Sequence, residues 1–213
     1  AMKHNFQLTM RGGNESVRYL ISGNYLTDQG VVRYSSYRKG SLRANIDAKL
    51  NEKLSAVVNL NMASDLNDRA ESSNLSTTPG GFSPSGVIQK AFLASPAVPD
   101  DAQYYPVYLL LADRGSSSGL INPLFDLAHT INKRTSFFGQ ATMDLVYKFN
   151  NNLSFTVRGA YNNTASANDM YWGLQTELGY DRGQKAFRST WNTKSYINEN
   201  FFTFNKNTTR YNL

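Results

Sequence analysis

The stretch Ser41–Ala63, SLRANIDAKLNEKLSAVVNLNMA, decides the fold. Leu42, Ala44, Ile46, Ala48 and Leu50 alternate with Ser41, Arg43, Asn45, Asp47 and Lys49. A two-residue period sorts side chains onto the two faces of a strand and cannot line one face of a helix. After the polar Asn51, Glu52 and Lys53, a second arm alternates Leu54, Ala56, Val58, Leu60 and Met62 with Ser55, Val57, Asn59, Asn61 and Ala63. Folding the chain about Glu52 sets Leu50 against Leu54, Ala48 against Ala56, Ile46 against Val58 and Leu42 against Met62. A slip by one residue would turn each apolar row to the polar side, so the register is strongly specified. Each arm has about ten residues, the length a tilted strand needs to cross a bilayer.

The same construction appears on either side. Phe6, Leu8 and Met10 lead into Gly12, Gly13 and Asn14, and Val17, Tyr19, Ile21, Gly23 and Tyr25 lead away. Downstream, Ala141, Met143, Leu145, Tyr147 and Phe149 run into Asn150, Asn151 and Asn152, and Leu153, Phe155, Val157, Gly159 and Tyr161 return. Folding about Asn151 sets Asp144 opposite Arg158. A last strand is expected at Ser195–Phe204, with a polar turn near Asn207 and an eighth strand barely begun at Arg210–Leu213. Residues 27–38, 64–134 and 163–191 lack the period and are expected to be long connections. Within the second of these, Ser85 is expected to cap a short helix at 86–94 that Pro96 ends, and Ser95–Asp100 and Gly115–Gly119 read as linkers.

Short turns near Gly13, Glu52, Asn151 and Asn207 thus alternate with long connections. In an up-and-down antiparallel sheet, that order collects every short turn at one end of the strands and every long loop at the other. This is the plan of an outer-membrane β-barrel, so the chain reads as all-β, an antiparallel transmembrane barrel segment of about seven strands with long extracellular loops. A soluble carbohydrate-binding β-module alternates in the same way, with a second sheet covering Ile46 and Val58. A complete eight-strand barrel is the third arrangement, and the stub at Arg210–Leu213 makes it hard to close.

Composition fits β-structure, with thirteen Tyr, twelve Phe and fifteen Gly against six Pro among 213 residues. The absence of cysteine removes disulfide scaffolds and thiolate metal sites. The formal charge of +6 comes from single Lys and Arg residues without a basic run, so no nucleic-acid partner is expected. The longest apolar run, Val107–Ala112, is too short for a membrane helix, a test that barrel strands escape because they are polar at alternate positions. No signal peptide opens the chain, so it is expected to be a piece of something longer.

No catalytic residue, cofactor or metal site is expected. Gly115–Gly119 matches G-x-S-x-G but lacks the strand-to-helix elbow that gives the pattern its chemistry. His4 and His129 are far apart without carboxylates at ligand spacing. Asp100 and Asp101 read as a solvated turn before they read as a calcium site. The polar strand positions Arg43, Asp47, Lys49, Asn59, Gln140, Asp144, Lys148 and Arg158 are expected to line a lumen. The aromatics assigned to the long connections, Tyr104, Tyr105, Tyr108, Tyr171, Trp172 and Trp191, are the candidates for ligand contact, because an aromatic face packs on the C–H face of a sugar ring. The alternative for each is packing between loops or a place in an interfacial aromatic girdle.

Particular motifs add a resemblance. Tyr19–Val32, YLISGNYLTDQGVV, and Tyr37–Leu60, YRKGSLRANIDAKLNEKLSAVVNL, resemble the barrel of the SusC-like TonB-dependent transporters (the RagA/SusC family). In that family a Y-x-I-S-G-x-Y strand precedes a Q-G pair, R-x-N-x-D and L-S-x-x-x-N. Ala94–Pro99, ASPAVP, and Asn122–Leu124, NPL, match as well. The resemblance covers nearly the whole chain. It implies an internal fragment of an outer-membrane barrel of roughly 22 strands, in lipid, importing glycans or peptides. It further implies a SusD-like surface lipoprotein that touches the loops 64–134 and 163–191. The energy-transducing TonB complex would act only through a plug region that this chain does not include. The open strand edges of the isolated fragment are expected to self-associate.

Overall fold

The computed structural model describes residues 2–70, 91, 123–176 and 183–205. Seven strands form one sheet: β1 (Lys3–Gly13), β2 (Val17–Gln29), β3 (Ser36–Lys49), β4 (Leu54–Asp68), β5 (Thr130–Lys148), β6 (Leu153–Trp172) and β7 (Lys185–Phe204). Their spatial order is β1-β2-β3-β4-β5-β6-β7, each antiparallel to its neighbours in sequence. A short helix, α1 (Pro123–His129), precedes β5 directly, with Asp126 in its first turn and His129 in its last, the polarity that suits the helix dipole.

The registers are those that hydrophobic alternation demands. Leu42 faces Met62, Ile46 faces Val58 and Ala48 faces Ala56 in the first hairpin, and Asp144 faces Arg158 in the second. Three short turns share one device. Asn14 Oδ1 accepts from the backbone N–H groups of Ser16 and Val17, at 2.9 and 2.8 Å. Asn51 Oδ1 accepts from Lys53 and Leu54 at 2.9 and 2.8 Å, and Asn150 Oδ1 from Asn152 and Leu153 at 2.8 and 2.9 Å. An Asn side chain that accepts from the backbone two residues on imitates a backbone turn. Gly13 completes the first turn at φ +145°, where a Cβ would strike the Val17 carbonyl. Neighbouring turns are bonded to each other, Lys49 N–H to Ser16 O at 2.7 Å and Lys148 N–H to Lys53 O at 2.8 Å, so they lie side by side at one end.

The strands run further than their alternation. The first connection shrinks from 27–38 to residues 30–35, because Thr27–Gln29 and Ser36–Arg38 are paired. β4 continues to Asp68 and β5 begins at Thr130, both inside the expected loop 64–134. β6 continues to Trp172 and β7 begins at Lys185, inside the expected loop 163–191. The cause is chemical: beyond Ser64 and Asn163 the side chains are largely polar on both faces, so the period-two signal fades while the backbone ladder goes on. The helix expected at 86–94 lies outside the described residues except for Ala91, and so do the turn near Asn207 and the stub 210–213.

The sheet has no second layer among the described residues. Leu42 is 42% exposed, Ile46 37% and Met143 46%, so the apolar rows are bare. A β-sandwich would have covered them. The sheet is also open, since β1 and β7 are its two ends.

Candidate functional site

The site is a face. All eight polar residues expected to share a surface do so by register: Arg43 aligns through Asn61 with Gln140, Asn59 lies between Asn45 and Thr142, and Asp47 aligns through Val57 with Asp144 and Arg158. Lys49 and Lys148 stand on the same face at the short-turn end, opposite Ser55 and Ser154. The Asp47 row extends to Arg18 on β2 and Glu199 on β7, giving an alternating charged line across six strands that is broken only by Val57. Arg158 grips Asp144 with two parallel bonds, Nε to Oδ1 and Nη2 to Oδ2, both 2.8 Å, and its Nη1 lies 3.6 Å from Glu199 Oε2. Its guanidinium carbon sits 5.7 Å from the centre of the Phe201 ring.

Neutral hydrogen-bonded pairs lie nearer the long connections. Thr9 and Ser22 hydroxyls bond at 2.9 Å, Asn59 Nδ2 donates to Thr142 Oγ1 at 3.2 Å, and Asn162 Nδ2 donates to Ser195 Oγ at 3.2 Å. At the far end Arg69 Nη2 donates to Asn168 Oδ1 at 3.1 Å, while Arg69 Nε and Asn132 Oδ1 are buried without partners. The lining set read from the sequence leaves out Arg18, Arg69 and Glu199. Arg18 and Glu199 sit at alternating positions and could have been found by extending the registers outward; Arg69 lies beyond the alternating segment.

The three candidate aromatics among the described residues are strand residues. Tyr171 and Trp172 close β6 and Trp191 lies within β7. Trp172 and Trp191 share the polar face, opposite Thr130 and Ser166, whereas Tyr171 stands on the apolar face opposite Ile131. Trp172 is buried and Trp191 is 59% exposed, which leaves Trp191 the more accessible of the pair. Tyr104, Tyr105 and Tyr108 lie outside the described residues. No group of three or more His, Asp or Glu residues able to hold a metal occurs among the described residues.

The opposite face is bounded by two belts. At the short-turn end Tyr147, Phe149, Phe155 and Phe202 cluster, with ring centres 5.0 Å apart for Tyr147–Phe149, 4.7 Å for Phe155–Phe202 and 6.3 Å for Phe149–Phe202. At the long-connection end a row of alternating charge runs Asp68, Lys133, Asp169, Arg188, with ion pairs Arg38–Asp68 at 3.5 Å and Arg188–Asp169 at 3.3 Å. Starting from the aromatic belt, β5 presents Tyr147, Leu145, Met143, Ala141, Gly139 and Phe137. That span of about ten residues, at roughly 3.4 Å each and a tilt of about 40°, covers roughly 26 Å, against an apolar band of about 25 Å in outer-membrane barrels. β7 departs from the pattern. Lys194, Asn198 and Asn200 face this side, and Asn200 Nδ2 donates to Asn198 Oδ1 at 2.8 Å, which softens the cost of placing them there. Among the described residues no helix is long and apolar enough to cross a membrane, which does not bear on strands.

A seven-stranded up-and-down sheet with one hydrogen-bonded polar face and one bare apolar face between belts is a segment of barrel wall. Comparison with known proteins gives the same result. No family model matches the chain. The TonB-dependent receptor P3 of Formosa agariphila is 24% identical over 211 residues, 98% of this chain and 20% of that protein. The RagAB peptide transporter superposes with a TM-score of 0.59 at 17% identity, over 92% of this chain and 22% of the other. The RagAB peptide importer in its "closed-closed" state gives 0.58 at 17% identity, over 91% and 21%. The chain spans about a fifth of these relatives and fits a segment of a TonB-dependent receptor.

Proposed function

We propose that this chain is part of the wall of a SusC-like, TonB-dependent outer-membrane transporter that imports oligomeric nutrients, glycans or peptides. The observation that carries the reading is the separation of faces: eight polar residues expected to line a conduit share one surface, and the other surface is apolar along β5 over about a bilayer's thickness. In this reading Arg43, Asp47, Lys49, Asn59, Gln140, Asp144, Lys148 and Arg158 line the lumen, and the charges of Asp144 and Arg158 are held in place by pairing across strands. Trp191 contacts the passing oligomer on the polar face, with Tyr104, Tyr105 and Tyr108 as further ligand contacts; Trp172 is buried, and Tyr171, on the apolar face, takes the interfacial-girdle role. A SusD-like lipoprotein engages the long connections from outside. The TonB complex acts through a plug belonging to the longer protein. The chain performs no catalysis.

The name of the RagAB relatives favours peptides as cargo, and the accessible indole of Trp191 suits either class. Because the chain contains no cysteine, single cysteines report accessibility cleanly. With the protein in lipid vesicles, Asn45→Cys and Asn59→Cys should react with a water-soluble, membrane-impermeant maleimide, and Ile46→Cys and Val58→Cys should not. Equal labelling on both faces would sink the proposal.

A further inference from the structure

The apolar face is not smooth. Around Gly23, Gly40 and Ser64 it sinks into a hollow of about 890 Å³, within the size range of clefts that hold ligands, roughly 300–1,000 Å³. A Cβ on Gly23 or Gly40 would meet nothing within 4 Å, so the floor is bare backbone. Tyr25 on β2 walls one side, with Phe6 and Leu8 one strand further out on β1, and Phe137 on β5 walls the other, three strand spacings or about 14 Å from Tyr25. The hollow's side walls are apolar, and the hydroxyl of Ser64 is turned to the Ser136 carbonyl at 3.3 Å.

The upper end carries charge. Two residues beyond Phe6 and Gly40 on the same face stand His4 and Arg38, aligned through Thr27. His4 stacks on Phe6 with 6.3 Å between ring centres. Arg38 touches Asp68 at 3.5 Å but remains half exposed, and such a pair is weak enough to open to a stronger acceptor. A guanidinium takes a phosphate through two parallel bonds.

We propose that the hollow seats the acyl chains of one phosphorylated lipid of the outer leaflet, its phosphate on Arg38 and its chains laid over Gly40 and Gly23 between Tyr25 and Phe137. The inference rests on the apolar face meeting a membrane. Hydrocarbon is the only filler a membrane offers an apolar hollow, and the cation at its rim selects the lipid by its head.

The test is lipid retention by the whole protein, purified in mild detergent and examined by native mass spectrometry with added lipid A, dephosphorylated lipid A or phosphatidylethanolamine. The native protein should retain lipid A through washing. Gly40→Leu and Gly23→Leu, which fill the floor at extended positions, should lower retention about tenfold. Arg38→Gln should bring lipid A down to the level of its dephosphorylated form. Gly159→Leu, at an equally open glycine outside the hollow, should leave retention unchanged. Equal retention of all three lipids, or undiminished retention by Gly40→Leu and Arg38→Gln, would overturn the seat while leaving the membrane reading intact. A protein that takes up no micelle and copurifies with no lipid overturns both.

Discussion

Arg158 and Asp144 face each other across β5 and β6 as a closed fork, with two nitrogen–oxygen contacts of 2.8 Å. A one-residue slip of either strand would break both bonds and carry a charge to the apolar face, so the pair acts as a register lock. Glu199, at 3.6 Å on the other side of the guanidinium, is the looser partner. A double-mutant cycle on Asp144→Ala and Arg158→Ala should give a coupling about twice that of Glu199→Ala and Arg158→Ala. Denaturant unfolding in lipid vesicles measures both, and equal couplings would show that the fork has no special weight.

Adjacent residues of β3 should respond oppositely to the same substitution. Ile46→Arg puts a cation on the bare apolar face near the middle of the band and should cost about 2–4 kcal/mol. Asn45→Arg puts it on the polar face, loses the 3.2 Å bond from Arg43 Nε, and should stay within about 0.5–1 kcal/mol. Unfolding midpoints of the two variants in the same vesicles decide the matter.

The asparagine turns make a chemical prediction. Asn51→Ala removes the acceptor of two backbone N–H groups and should cost about 1 kcal/mol, at the low end for two exposed bonds. Asn51→Asp keeps the acceptor oxygen and should cost less than half as much. If alanine and aspartate behave alike in the unfolding assay, the turn is held by something other than the side-chain oxygen.

Two glycines should separate strain from space. Gly13→Ala introduces a Cβ at φ +145° against the Val17 carbonyl and should cost more than about 1 kcal/mol. Gly159→Ala meets open space and should be neutral or stabilise by about 0.4–1 kcal/mol. Thermal unfolding of the two variants in detergent provides the comparison.

β1 and β7 each leave one side of the backbone unpaired within the sheet. The isolated chain should therefore associate through these edges in buffer and disperse in detergent. A clean monomer by light scattering without detergent would contradict the expectation.

Much of this architecture was legible in the residues. Alternation across Ser41–Ala63 set the first hairpin's register pair by pair, because one wrong step would have exchanged every Leu and Ile for Asn and Asp. Both Asp144 and its partner Arg158 were found the same way. Strand ends were not legible. Ser64, Asp65, Asn67 and Asp68 look like loop by composition, yet they pair with residues 133–137 because backbone bonding does not require a greasy face. Tyr171, Trp172 and Trp191 were misplaced onto connections for that reason. The hollow at Gly40 was invisible for another: its walls come from β1, β2, β4 and β5, and only the assembled registers bring Phe6 and Phe137 to either side of one glycine.

Every strand here bonds solely to the strands that precede and follow it in the chain. Deleting or duplicating one hairpin therefore leaves two edges of matching polarity that can rejoin without rerouting the polypeptide. A wall of this design can change its circumference, and so the calibre of what passes through it, by whole two-strand units over evolutionary time.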